Sequence, residues 1–250
     1  MTTRLFHISD VHFGVEDRTA LKAVEQAVRD ERPDALVCTG DLTQRATHEQ
    51  YRAAAEWFGR FDIPVVLEPG NHDMPYYNLL ERFTDPYRRY RTLARKIGGI
   101  LQSDDVTLVS LKTTVRAQAR FPWSDGVVTD QALEEAVRKL AALRADPRHI
   151  LVTAHHPLLG PEGGIDNPTI GGANAFSTIA RAGADAVLTG HIHVPFDEVR
   201  QAQGVKLRMI GTGTLSTRLR RGAPPSYRLI ECTKGKPLTS ELRELSAVAQ

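Results

Sequence analysis

Cysteine is nearly missing from this 250-residue chain: Cys38 and Cys232 stand alone and far apart. Two such thiols make no disulfide framework and fall short of a thiolate metal site. No apolar run reaches the roughly 18 residues of a membrane span. The opening MTTRLFHISD has one Arg and then a short strand-like run, which is not the layout of a signal peptide. An excess of one charge is missing too. Lys and Arg number 32 against 30 Asp and Glu, a net +2, so composition argues neither for nor against an anionic partner. There is no internal repeat, no low-complexity tract and no G-x-S-x-G nucleophile element. What remains is a chain of ordinary apolar (41%) and charged (25%) content, long enough for one sizeable core. A cytoplasmic, reducing setting is the expectation.

Short runs rich in Val, Ile and Leu at 4–9, 35–39, 64–68, 106–111, 149–154, 186–189, 205–211 and 227–231 read as strands. Most are apolar without strict alternation, as expected of sheet strands covered by helices. Helical patterns fall between them at 19–32, 49–60, 78–97, 130–143 and 177–182. Thr129-Asp130 ahead of QALEEAVRKLAALR marks a helix start. The last two strands have no helix between them and read as a hairpin or meander. The expectation is an α/β chain forming one domain over 1–250, with an inserted helical segment at 74–100. That segment mixes Tyr76, Tyr77, Phe83, Tyr87 and Tyr90 with six Arg or Lys residues. It reads as a surface helix with a solvated basic face, or as a cap over an anionic substrate or a homodimer surface. Residues 158–176 are rich in glycine and read as a functional or mobile loop.

The informative polar residues stand where these strands stop. Asp10 and His12 close the first run in SDVHFG, and residues two apart in extended backbone point to one side. Asp41 follows a glycine in TGDLTQ. In PGNHD, Gly70 makes a turn ahead of Asn71, His72 and Asp73. His155-His156-Pro157 and Gly190-His191-Ile192-His193 end two later runs. Of nine histidines, His12, His72, His155, His156, His191 and His193 fall in these clusters, while His7, His48 and His149 read as structural or solvated. Ligands of α/β sheets bind at the carboxyl edge of the strands. Imidazole with hard oxygen and no thiolate suits Mn, Fe, Zn, Co or Ni. Two Asp, one Asn and four or five His are too many for one catalytic metal, and suit two if a carboxylate bridges.

The series D-x-H, GD, GNHD, HHP and GH-x-H, spread over residues 10–193, resembles the calcineurin-like metallophosphoesterase superfamily. The phrases HISDVHFG, GDLTQ and PGNHD are most similar to its bacterial branch of class III cyclic-nucleotide phosphodiesterases. The resemblance implies a four-layer α-β-β-α sandwich of two mixed sheets. It implies one metal on Asp10, His12 and His193, a second on Asn71, His155 and His191, and Asp41 bridging, with Mn, Fe or Zn as the pair. It also implies His72 as the acid toward the leaving group, Asp73 orienting it, and His156 outside the ligand set. The implied reaction is hydrolysis of a phosphoric ester, foremost a small diester, by a metal-bridging hydroxide. Phosphomonoesterase, nuclease and non-catalytic scaffold are the alternatives. The partner expected is a small phosphate ester, with neither a membrane nor nucleic acid. Arg45 falls where phosphoprotein phosphatases have a phosphate-binding Arg, and reads either as a substrate contact or as a solvated loop residue.

Overall fold

The computed structural model describes residues 2–118, 124–163 and 169–245; residues 164–168 of the glycine-rich stretch lie outside them. In chain order the elements are β1 (Thr3–Ile8), α1 (Arg18–Glu31), β2 (Ala35–Cys38), α2 (His48–Phe58), β3 (Val65–Leu67), α3 (Leu79–Thr84), α4 (Arg88–Ile97), β4 (Val106–Ser110), α5 (Asp130–Ala142), β5 (His149–Thr153), α6 (Gly172–Arg181), β6 (Ala186–Thr189), β7 (Phe196–Ala202), β8 (Val205–Gly211), β9 (Ser226–Cys232) and β10 (Thr239–Glu244).

Two five-stranded sheets form, in the orders β10-β9-β1-β2-β3 and β4-β5-β6-β8-β7. In the first, β1, β2 and β3 run parallel and β9 runs against β1. In the second, β4, β5, β6 and β8 run parallel and β7 is antiparallel. Both faces of the central strands are buried, and alternate residues go to different layers. Phe6, Ile8, Leu36 and Cys38 pack with α1 and α2, through Leu21, Val24, Trp57 and Phe58. Val109, Ile150, Val152 and Val187 pack with Leu133 and Leu140 of α5 and Phe176 of α6. Leu5, Val37, Leu151, Leu188 and Ile210 fill the space between the sheets. The layers are therefore helix, sheet, sheet and helix.

Local chemistry explains the helix ends. Asp17, Thr47 and Thr129 each accept a hydrogen bond from a first-turn N–H of α1, α2 and α5, as N-caps do. The single helix expected over 78–97 is two. Pro86 disfavours helical backbone at the residue before it, and Asp85 takes φ −145°, ψ 72°. The expected hairpin of the last two strands does not form, because β8 and β9 lie in different sheets. Each instead pairs with a strand the sequence reading passed over, β8 with β7 and β9 with β10. Among the described residues, no helix is long and apolar enough to cross a membrane.

Candidate metal centre

Beyond the carboxyl ends of β1, β2 and β3 stand Asp10 and His12, then Asp41, then Asn71 and His72. Beyond β5 and β6 stand His155, His191 and His193. Both sheets therefore contribute to one cluster at their shared edge. The side chains do not converge through strand pleat, as the i,i+2 argument expects. β1 stops at Ile8, and Asp10, His12, Asp41, His191 and His193 take φ of 55°, 50°, 50°, 70° and 60°. Left-handed backbone costs a non-glycine residue about 1–2 kcal/mol, and it persists where neighbouring structure over-determines it. Here Asp10 N donates to Gly40 O at 3.0 Å and His12 N to Asp41 O at 2.9 Å. The hydroxyl of Thr214 donates to Asp10 O at 2.7 Å.

Glycines admit the close approach. Gly70 has extended backbone (φ −97°, ψ 177°), so it is not required for a left-handed turn. A Cβ there would lie 2.1 Å from Asp41 Oδ1, and one on Gly190 would lie 1.8 Å from Ser9 Oγ and 2.4 Å from Asp10 Oδ2.

At the centre, Asp41 Oδ2 lies 3.6 Å from His12 Nε2 and 3.4 Å from His155 Nε2. Its other oxygen accepts from His72 N at 2.8 Å. Asp10 Oδ1 is 3.0 Å from His193 Nε2 and 3.6 Å from His12 Nε2. Asn71 Oδ1 is 3.2 Å from His155 Nε2. The far ring nitrogens decide what these atoms face. His155 Nδ1 donates to Thr39 O at 2.7 Å and His193 Nδ1 to Arg218 O at 2.6 Å. That assigns a proton to each Nδ1, so in the neutral rings the Nε2 lone pairs point inward, the orientation that a carbonyl on the far nitrogen gives a metal-ligating histidine. Imidazole lone pairs thus face carboxylate and amide oxygens, acceptor against acceptor, and Asp10 Oδ1 is buried without a well-formed hydrogen bond. Positive charge reconciles them, as a proton on the imidazole or as a bound cation. Four overlapping triads have ligand atoms within 4.8 Å of one another: Asp10–His12–His193, Asp10–Asp41–His155, His12–Asp41–His72 and His155–His156–His191. The His and Asp side chains of these triads, other than His156, are positioned to bind metal.

The ionisation shifts follow the same arrangement. Burial alone would raise Asp10 and Asp41, but His193 beside the first and His155 beside the second hold both well below the usual carboxylate range. Burial opposes charge on His155 as well, yet Asp41 pushes it up to about 9. His191 is lowered to about 3 by burial and by the neighbouring His155.

Asp73 corrects its expected role. Its carboxylate accepts from Leu42 N, Thr43 N and Gly70 N at 3.1, 2.8 and 2.8 Å and from Thr43 Oγ1 at 3.0 Å. It braces the two turns that carry Asp41 and Asn71. The group on His72 Nδ1 is instead the carbonyl of Gln44, at 2.7 Å. His156 has both ring nitrogens engaged, Nδ1 with Thr113 Oγ1 and Nε2 with Ser124 O, each at 2.9 Å. Its ring lies tilted against that of His191, at 4.3 Å between centroids. His7 is buried with Nε2 on Thr39 Oγ1. Arg45 turns to the rings of Tyr76 and Tyr77, at 5.7 and 5.5 Å, and hydrogen-bonds the Tyr77 hydroxyl. The residue that sequence reasoning missed is Arg218. Its Nη1 lies 3.2 Å from His72 Nε2, 3.4 Å from His12 Nε2 and 3.3 Å from Gln44 Oε1. It stands in TRLRRG, downstream of every ligand motif, where no spacing singles it out.

Residues 3–195 match the family model described as calcineurin-like phosphoesterase. A protein named a probable cyclic nucleotide phosphodiesterase, from Pseudoalteromonas sp. (strain SM9913), is 28% identical over 209 residues, 78% of this chain and 73% of that relative. A glycerophosphodiester phosphodiesterase of Enterobacter lignolyticus is 32% identical over 80 residues, 28% of this chain and 29% of that one. Among solved structures, a dimetal phosphatase from Danio rerio superposes with a TM-score of 0.67 at 12% identity, over 97% of this chain and 96% of that one. A purple acid phosphatase from yellow lupin superposes at 0.71 with 14% identity, over 98% and 52%. At such identities the superpositions speak to the fold.

Proposed function

The chain belongs to the calcineurin-like phosphoesterase family, and from that premise we propose that it hydrolyses small phosphodiesters, cyclic nucleotides foremost, with two cations held in this cluster. The observation that carries the reading is the position of Asp41 Oδ2, between His12 Nε2 at 3.6 Å and His155 Nε2 at 3.4 Å. A carboxylate so placed would serve both of two ligand sets, Asp10, His12 and His193 for one cation and Asn71, His155 and His191 for the other. The diester reading draws its support from the relative named a probable cyclic nucleotide phosphodiesterase, which covers 78% of this chain.

Two divalent ions, when bound, supply Lewis-acid charge that activates water and stabilises charge developing on the phosphoryl oxygens. The chain does the rest. Thr39 O and Arg218 O hold His155 and His193 at fixed ring orientation. Asp73, through the backbone of residues 42, 43 and 70, fixes the turns beneath Asp41 and Asn71. In the reaction a P–O bond forms to the oxygen of water, and the P–O bond to one alcohol breaks. His72 would deliver a proton to the departing oxygen from Nε2 when the ring is protonated on both nitrogens, with Nδ1–H resting on Gln44 O, and the proton released by the attacking water balances the one given up.

Turnover of bis(p-nitrophenyl) phosphate, p-nitrophenyl phosphate and cyclic AMP, with manganese and after chelation, tests this. The expected result is manganese-dependent cleavage of the diesters, faster than of the monoester. A monoester preference moves the assignment to a phosphomonoesterase, and silence on all three with every metal overturns it.

A further inference from the structure

Arg218 is a cation without an anion. Among the described residues its guanidinium meets His72 Nε2, His12 Nε2 and Gln44 Oε1, and no carboxylate stands within ion-pair distance of it. None of the three partners carries negative charge. His72 directs its Nδ1 proton at Gln44 O, so in the neutral ring its Nε2 presents a lone pair to Arg218, the form that precedes protonation for the acid role. His12 Nε2 already faces the carboxylates of Asp10 and Asp41. A guanidinium has five N–H donors in a planar fork, matched to two oxygens of a phosphate or carboxylate, and here one nitrogen takes up all three contacts.

The segment that presents Arg218 is fastened to the β1 exit. Leu215 N donates to Asp10 O at 3.3 Å, Thr217 N to Val15 O at 3.0 Å, and Asp17 N to Leu215 O at 2.9 Å. The carbonyl of Arg218 is itself the acceptor that sets the His193 ring. One residue thus places a ligand histidine through its backbone and a positive charge beside His72 through its side chain. It lies past the residues that match the family model, 3–195.

We propose that Arg218 is a substrate-binding residue whose guanidinium takes a non-bridging phosphoryl oxygen of the ester, on the side of the cluster where His72 stands. This rests on the hydrolase reading for its substrate, but the anion site it defines needs no turnover to be detected. Hydrolysis turns a singly charged diester into a more highly charged monoester. A fixed cation outside the ligand set therefore strengthens binding of product and inorganic phosphate most.

The test uses the manganese-loaded protein with Arg218→Ala, Arg218→Lys and Arg218→Met; the last keeps the aliphatic stem should Ala disturb the loop. Metal content, melting temperature, calorimetric titration with inorganic phosphate, and kcat and KM on bis(p-nitrophenyl) phosphate are measured on each. Loss of a charged hydrogen-bond partner predicts phosphate affinity roughly 10- to 100-fold weaker in the Ala and Met variants. Metal content should be unchanged, because the contact to His193 is made by backbone. Lys should recover part of the loss, having charge but no fork. Unaltered phosphate affinity in the Ala and Met variants overturns the proposal, and so does a loss of affinity that tracks a loss of metal. If the wild-type protein binds phosphate through Arg218 yet cleaves no ester, the hydrolase reading falls and the anion site stands. If it cleaves diesters while both variants bind phosphate normally, the reverse holds.

Discussion

His72 and Asp73 are adjacent in the chain and do unrelated work. The His72 ring touches Gln44 O through Nδ1 and Arg218 through Nε2, and neither contact supports the fold. Replacing it with Ala should cost roughly 10²- to 10⁴-fold in turnover, the usual worth of a positioned acid, with little change in melting temperature or metal content. Asp73 is buried and accepts three N–H groups and one hydroxyl. Asp73→Ala strands those donors and should lower stability by on the order of 3 kcal/mol, seen as an early melt and poor metal retention. An Asp73→Ala protein that melts like wild type but turns over slowly would return Asp73 to the role of orienting His72. Adjacency in GNHD made the two look like a pair, whereas the acceptor on His72 is a main-chain carbonyl. That is the general limit of reading this cluster from sequence. Asp10, His12, Asp41 and the later histidines are legible because side chains of metal-binding type recur at short spacing where strands stop. Gln44 O, Thr39 O and Arg218 O are not, because any residue supplies a carbonyl.

The two sheets approach closely where β1 of one and β6 of the other end side by side. Gly190 follows β6, and a Cβ there would enter the space of Ser9 Oγ and the Asp10 carboxylate. Gly190→Ala should therefore push the two strand ends apart and weaken both metal retention and thermal stability. Metal analysis beside a melting curve measures this, and wild-type values on both would show that the seam yields without consequence. The same scale separates the strands that could be read from those that could not. β1, β2, β5 and β6 are buried on both faces and announce themselves as apolar runs. β7 (FDEVRQA) and β10 (TSELRE) are edge strands, half-buried at alternate positions and rich in charge. Charge on an edge discourages pairing with other chains, and it also hides the strand from a search for apolar runs. Overlooking them joined β8 to β9 across two sheets.

For the molecule as a whole, the junction of the two sheets includes a buried acid. Glu68 follows β3 and accepts from Ser110 at the end of β4 (2.7 Å) and from Thr153 at the end of β5 (2.6 Å). Burial raises its pKa from 4.5 to about 7, against the pull of those two hydroxyls. The folded state then holds a proton that the unfolded chain has released between those values, so this residue's contribution to stability declines as pH climbs from 4.5 to 7. Glu68→Gln carries no such charge. Relative to wild type it should gain stability between pH 5 and 8, by at most about 3 kcal/mol, and paired melts at each pH measure the difference. A constant difference across that range would place the ionisation of Glu68 elsewhere. The order of the chain carries a last consequence. Every candidate ligand lies at or before His193 in the chain, yet Thr214 and Arg218, which steady Asp10 and His193, come after it. The candidate donors are thus complete in the chain before the brackets that aim two of them, which come from a stretch that contributes no candidate ligand of its own.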